Sequence, residues 1–261
     1  MVMIKLNGHR SWATIAKGKG KGKKPTVVLL HGGMSSSASL LRDLAPRLAK
    51  RFRIAAFDRR GHGRTGDTDE PFHYSTMADE TIAFIEHLGV RAHLVGHSDG
   101  GVVALLVAMR RPDLVRRLVL IGANYHYRGL HDVVEFPLKG PVFKQWRREF
   151  ARLSPDGKGH AREVIQKAIT LFATEPTLSC DDLATIKAPV LVMSGDDDVV
   201  KLSHTCSMYE SFRNAQLAIV PGTSHSLLKE RNKLSTGMIR TFLTGDLPPV
   251  TLWPVRRART R

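Results

Sequence analysis

The pentapeptide Gly96-His97-Ser98-Asp99-Gly100 is the part of this 261-residue chain whose residue types and spacing most directly imply chemistry. It follows a short apolar run, His93 to Val95, and precedes a helical pattern that begins at Gly100. Glycines two residues either side of a serine leave room for an abrupt strand-to-helix turn. Such a turn holds the serine in a strained, exposed conformation, the context of a nucleophile elbow. Ser98 is the expected nucleophile. A serine hydroxyl needs a base, and Val220-Pro221-Gly222-Thr223-Ser224-His225-Ser226 puts His225 in a turn just before a helix. That histidine must in turn be held in one tautomer by a carboxylate. The apolar run Val190 to Met193 leads into Ser194-Gly195-Asp196-Asp197-Asp198. Asp198, three residues past Gly195, is the expected orienting acid, and Asp196 and Asp197 are assigned to shaping the turn. The stretch Gly122-Ala123-Asn124 offers no competing carboxylate. The order Ser, Asp, His along the chain is the one expected for this elbow.

Attack on a carbonyl also creates an oxyanion that needs hydrogen-bond donors. The backbone N–H of Asp99, at the positive end of a helix, is one candidate. The other lies in His31-Gly32-Gly33-Met34, with Gly33 or Met34 as the donor. Losing one such donor typically costs about 3 to 4 kcal/mol of transition-state stabilisation.

These residues need elements to carry them. Short apolar runs bounded by turn residues predict strands at 26–30, 52–57, 93–95, 118–121, 190–193 and 217–220. Apolar residues at three- and four-residue spacing predict helices at 38–50, 76–88, 100–110, 202–212 and 227–242. Thr76 with Asp79 marks a helix start and Gly89 a helix stop. Alternating strands and helices imply an α/β fold, a mostly parallel sheet flanked by helices. From about 124 to 187 the alternation fails, leaving amphipathic segments near 143–153 and 161–173 and no convincing strand. This interval reads as a helical cap or lid between two parts of the core, 1–123 and 188–246, followed by a basic tail, 247–261. Active sites of open parallel sheets lie beyond the strands' carboxyl ends, where such an insertion would cover them.

Composition narrows the remaining classes. There are 40 Lys and Arg against 24 Asp and Glu, a formal charge of +16. Much of the excess sits in the Lys/Gly run from Lys17 to Lys24 and in Arg256, Arg257, Arg259 and Arg261, with more on helix faces at Arg147 and Arg148. Such runs read as solvated loops and ends. The Lys/Gly run lacks the GxxxxGK[ST] spacing of a phosphate loop, and no aromatic residues interleave the charges to stack on bases. Nucleic-acid binding through the tail is therefore a minor reading. Cys180 and Cys206 form neither a disulfide framework nor a metal motif, and are read as ordinary buried or partly buried thiols. No His/Asp/Glu spacing suggests a metal, so neither metal nor cofactor is expected. His62 and His97, in glycine-rich turns, are read as packing or hydrogen-bonding groups. With no apolar run of roughly 18 residues and no apolar leader, the expectation is a soluble, cytoplasmic protein.

Taken together, His31-Gly32-Gly33, Asp58-Arg59-Arg60-Gly61-His62-Gly63-Arg64, the elbow at Ser98, Asp198 and His225 resemble the α/β-hydrolase superfamily over most of the chain. Within it, Ser98-Asp99-Gly100-Gly101 followed by Gly122-Ala123-Asn124 is similar to the valacyclovirase (biphenyl-hydrolase-like) group. That resemblance implies a serine hydrolase acting on small esters, and it implies that Asp99 binds the α-ammonium of an amino-acid ester. The expected partner is thus a small-molecule ester; oligomeric state is left open. The same triad also serves lyases, acyltransferases, cofactor-free haloperoxidases and non-catalytic ligand sensors, which stand as alternatives because a fold does not fix a function.

Overall fold

Two strands outside the predicted set open the chain. β1 (Val2–Leu6) and β2 (His9–Ile15) pair antiparallel around Asn7-Gly8, whose φ angles of 46° and 88° are those of a tight hairpin turn. In the computed structural model, which describes residues 1–16, 24–131, 140–247, 249 and 251–255, β2 pairs antiparallel with β4 (Arg53–Phe57). β4 lies parallel to β3 (Thr26–Leu30), and the parallel array continues through β5 (Ala92–His97), β6 (Val115–Ile121), β7 (Val190–Asp197) and β8 (Ala215–Ser224). The sheet order is β1-β2-β4-β3-β5-β6-β7-β8.

All five residues of β3 are buried, because alternate side chains enter different cores. Val28 and Leu30 pack with α2 (Tyr74–Leu88) and α3 (Asp99–Arg110) on one face. Val27 and Leu29 pack with α1 (Ser37–Leu48) on the other. Leu118 and Leu120 against Val119 and Ile121 divide in the same way along β6. This is why these strands read as continuous apolar runs rather than alternating ones. α2 begins at Tyr74, two residues before the predicted start, and ends at Gly89 in the left-handed conformation (φ 63°), as expected.

Between β6 and β7 the chain forms α4 (Pro141–Leu153), α5 (Ala161–Thr174) and the short α6 (Cys180–Ala184). The ties between this segment and the core include two carboxylates. Asp67, after β4, accepts from His160 Nε2 at 2.8 Å and Lys167 Nζ at 2.9 Å. Glu175, just past α5, accepts from the Tyr74 backbone N–H at 3.0 Å and from His73 Nδ1 at 2.6 Å. After β7 come α7 (Leu202–Ser211), then β8, and the helix predicted over 227–242 is divided into α8 (Leu227–Glu230) and α9 (Asn232–Thr244). Cys206 is partly buried, but Cys180 is exposed, which corrects its sequence reading: it sits in the first turn of α6, away from either core. Arg147 and Arg148 are exposed on α4. Residues 17–23 of the Lys/Gly run and the arginines from Arg256 onward lie outside the described residues.

Candidate active site

The carboxyl ends of β3, β5, β7 and β8 deliver the expected residues to one place. Ser98 follows β5 with φ 54° and ψ −123°, a conformation that costs a non-glycine residue energy and persists only where the surroundings enforce it. Close packing does the enforcing. A Cβ on Gly100 would lie 2.0 Å from the Leu30 carbonyl oxygen, and one on Gly96 would lie 2.2 Å from that of Gly100. Only glycines let α3 start this close to the sheet, so both elbow glycines are steric requirements.

His225 follows β8, and its Nδ1 is 2.7 Å from Asp198 Oδ1. Asp198 also accepts from the Val200 N–H at 3.2 Å and the Ser194 hydroxyl at 3.1 Å. Burial alone would raise its carboxyl, but these bonds and the facing imidazole hold it below the usual range. With Nδ1 donating to a carboxylate, His225 Nε2 is left as the acceptor, the tautomer a base requires. Gly122, at φ 55°, makes room for the pair: a Cβ there would be 2.8 Å from His225 Nδ1. Asp196 lies within β7 and accepts instead from the Thr223 N–H of the neighbouring parallel strand β8 at 3.0 Å, so it ties two strand ends together where the sequence reading had it shape a turn. His97 donates through Nε2 to the His225 carbonyl at 2.9 Å and packs its ring against His225. Burial and the neighbouring imidazole lower it to about 4, so it stays neutral and acts as a support.

Ser98, His225 and Gly33 line one cavity of about 240 Å³. No hydrogen bond joins Ser98 Oγ to His225 among the described residues, a contact that often tightens only on substrate binding. Gly33 and Met34 part company here. Gly33 is on the cavity wall, whereas Met34, at φ 49°, lines a separate small space with Trp146 and Phe150. Asp99 opens α3, where first-turn N–H groups lack intrahelical partners.

The Asp99 side chain is 5% exposed and borders the cavity. Its Oδ1 accepts from the Tyr74 hydroxyl at 3.0 Å. Burial raises its carboxyl, opposed by the Arg59 guanidinium and by the Tyr74 bond. Tyr74, Phe172 and Glu175, which complete this wall, are functional candidates that sequence reasoning did not single out. Tyr74 precedes the helix start predicted at Thr76 and carries no motif of its own, and Phe172 and Glu175 lie in the 124–187 interval where the strand–helix alternation fails. Among the described residues no group of His, Cys, Asp or Glu is arranged to hold a metal.

Residues 27–234 match the alpha/beta hydrolase family, and the chain belongs to it. It is 28% identical over 246 residues to the bifunctional esterase/perhydrolase DCH of Acinetobacter calcoaceticus, covering 78% of this chain and 86% of that one. It is 25% identical over 248 residues to the serine hydrolase BPHL of Mus musculus, covering 86% and 79%. The enol-lactonase of Burkholderia xenovorans superposes with a TM-score of 0.73 at 20% identity, over 94% of this chain and 100% of that one, a likeness of fold. No helix among the described residues is long and apolar enough to cross a membrane.

Proposed function

We propose that this chain cleaves a small carboxylic ester through a covalent acyl-enzyme, with Ser98 as nucleophile, His225 as base and Asp198 as its orienting acid. The observation that carries the reading is the His225–Asp198 contact of 2.7 Å on the same cavity as a serine held at φ 54°. Ser98 Oγ forms a bond to the ester carbon as its proton passes to His225 Nε2, and the carbonyl π pair moves to oxygen, facing the N–H groups of Gly33 and Asp99. Collapse breaks the bond to the alkoxide, which leaves with the proton from His225. Water, deprotonated by the same imidazole, then releases the acid and frees Ser98. Leu40, Leu130, Phe172, Val199, Val200 and Leu228 make much of the wall apolar, which suits a short acyl or alkyl group.

Two finer parts belong to the same proposal. Residues 124–187 act as a lid between core segments 1–123 and 188–246, supported by the contribution of Phe172 and Glu175 to the cavity wall. Asp99 receives the ammonium of an α-amino-acid ester, supported by its place on the wall and by the resemblance of Ser98-Asp99-Gly100-Gly101 to the valacyclovirase group.

The test is hydrolysis of p-nitrophenyl esters and α-amino-acid esters by wild type, Ser98→Ala and Asp99→Asn. Burst and steady turnover by wild type, lost in Ser98→Ala, would support the esterase. A deficit of Asp99→Asn confined to amino-acid esters would support the ammonium site. Wild type inert toward every ester, or acylated once without release, would refute the hydrolase in favour of another reaction or a ligand sensor.

A further inference from the structure

Behind the cavity wall lies a cation that the proposed reaction does not use directly. Arg59, just past β4, is fully buried at 0% exposure, and its Nε and Nη1 have no hydrogen-bond partner among the described residues. A buried, poorly bonded guanidinium is costly, so its retention calls for a compensating role. Its contacts point to one. Arg59 Nη2 donates to the Gly32 carbonyl at 3.3 Å. The Arg59 backbone N–H donates to His31 Nε2 at 3.2 Å, which makes Nε2 the acceptor and leaves the proton on Nδ1. His31 Nδ1 then donates to the same Gly32 carbonyl at 2.7 Å. Two donors thus hold that oxygen on the inner side of the loop.

The consequence follows from the peptide plane. In a trans peptide the C=O and the next N–H point in opposite directions. With the Gly32 oxygen turned inward, the Gly33 N–H is turned outward, toward the cavity that Gly33 lines. The peptide also lies against the nucleophile, since a Cβ on Gly32 would be 3.2 Å from Ser98 Cβ. A second feature makes the charge matter. A Cβ on Gly33 would come within 2.5 Å of Asp99 Oδ2, so a carboxylate borders the place where an oxyanion would form. Left alone, that anion would oppose the developing negative charge in a site where screening is weak. Asp99 heads the carboxylates that favour the Arg59 cation, ahead of Glu80 and Asp58.

We propose that Arg59 is a positioning residue for the oxyanion site: it holds the Gly32 carbonyl so that the Gly33 N–H faces Ser98, and its charge offsets Asp99. The inference rests on the esterase reading and deepens it. Arg59 touches neither substrate nor the reacting atoms; it acts through the Gly32–Gly33 peptide and through Asp99.

The experiment compares wild type, Arg59→Met, Arg59→Lys and Arg59→Met/Asp99→Asn, each first confirmed as folded by circular dichroism and thermal melting. The readouts are kcat and KM for p-nitrophenyl acetate, and the Kd of phenylboronic acid, which forms a tetrahedral anion on a serine. Arg59→Met is expected to lose about 100-fold in kcat with little change in KM, the size of an oxyanion-donor loss, and to weaken phenylboronic acid in parallel. Arg59→Lys should recover part of kcat by keeping the charge. If Arg59→Met alone does not fold, the double variant, which removes both charges, and Arg59→Lys carry the test. The double variant should bind phenylboronic acid more tightly than Arg59→Met where both fold. It should fall short of wild type in every case, because the Gly32 carbonyl has lost a donor.

Wild-type kcat and boronate affinity in a folded Arg59→Met or double variant would overturn the assignment while leaving the esterase intact. So would a loss confined to KM or to melting temperature. Wild type inert toward both ester and boronate would overturn the esterase reading and, with it, any role for Arg59 at an oxyanion.

Discussion

His93→Phe should make the protein less sensitive to acid without touching its chemistry. His93 lies near the start of β5, 5% exposed, edge-on to Phe52, with Nδ1 buried and without a hydrogen-bond partner among the described residues. Burial, reinforced by Arg117 and Arg116, lowers it to about 4. An unfolded histidine titrates near 6.5, so between those values the unfolded chain takes up a proton that the folded chain refuses. Stability therefore rises with pH across this window, is fully present above it, and is lost as pH falls. For one such group the loss between pH 7 and pH 5 is about 2 kcal/mol, and His62, lowered to about 4 for the same reason of burial, adds a similar amount. Against a typical total of about 5 to 15 kcal/mol, that is a large share. Phenylalanine keeps the ring contact with Phe52 and removes both the titration and the orphaned nitrogen. Urea unfolding followed by tryptophan fluorescence at pH 5, 6, 7 and 8 should show the variant gaining about 2 kcal/mol on wild type between pH 7 and pH 5. Hydrolysis should be unchanged, because His93 is roughly 16 Å along the strand from Ser98. A stability difference that is the same at pH 5 and pH 8 would refute the claim that His93 is held neutral.

Two substitutions test the site's geometry. Asp198→Asn should leave fold and KM nearly unchanged but lower kcat by roughly 10⁴-fold, because an amide no longer enforces the tautomer with Nε2 unprotonated; a loss under tenfold in steady-state assays would remove Asp198 from its role. Gly122→Ala should cost about 1 to 3 kcal/mol in urea unfolding from overpacking and a positive φ, and should also depress kcat, since its Cβ would press on His225 Nδ1. Full activity at wild-type stability would show that the His225–Asp198 pair has slack which the 2.8 Å approach denies.

The parts of the structure that were legible in the sequence are those written in contiguous residues. β3, residues 118–121 of β6 and residues 190–193 of β7 are buried on both faces, so each shows as an apolar run, and Gly96 and Gly100 mark an elbow because backbone crowding leaves no alternative. β1 and β2 went unread because one half of the hairpin is exposed and its apolar residues are interrupted, although Asn7-Gly8 is a hairpin signal in its own right. Met34 could not be separated from Gly33 from sequence, since adjacent residues differ here only in the backbone turn at φ 49°. Arg59 and Tyr74 were beyond sequence reading for a different reason. Their importance arises from what β4, α2 and α3 bring against Asp99, and no local pattern encodes such a convergence.

That convergence also bears on how Asp99 can serve two ends. A carboxylate that binds a substrate ammonium should be ionised and incompletely paired, whereas burial favours its neutral form. Tyr74 supplies one hydrogen bond to Oδ1, and Arg59 supplies charge from behind the loop. Both favour the ionised state. With an uncharged ester bound, Asp99 and Arg59 offset each other and the oxyanion site feels little net field. With an ammonium beside Asp99, the cation offsets the carboxylate from the cavity side, and the field of Arg59 is freed to act on the Gly32–Gly33 peptide. On this account an α-amino group does more than anchor the substrate. It should raise kcat as well as lower KM relative to the des-amino ester with the same leaving group, and the kcat advantage should shrink in Asp99→Asn. An advantage expressed in KM alone would confine Asp99 to binding and separate it from the chemistry.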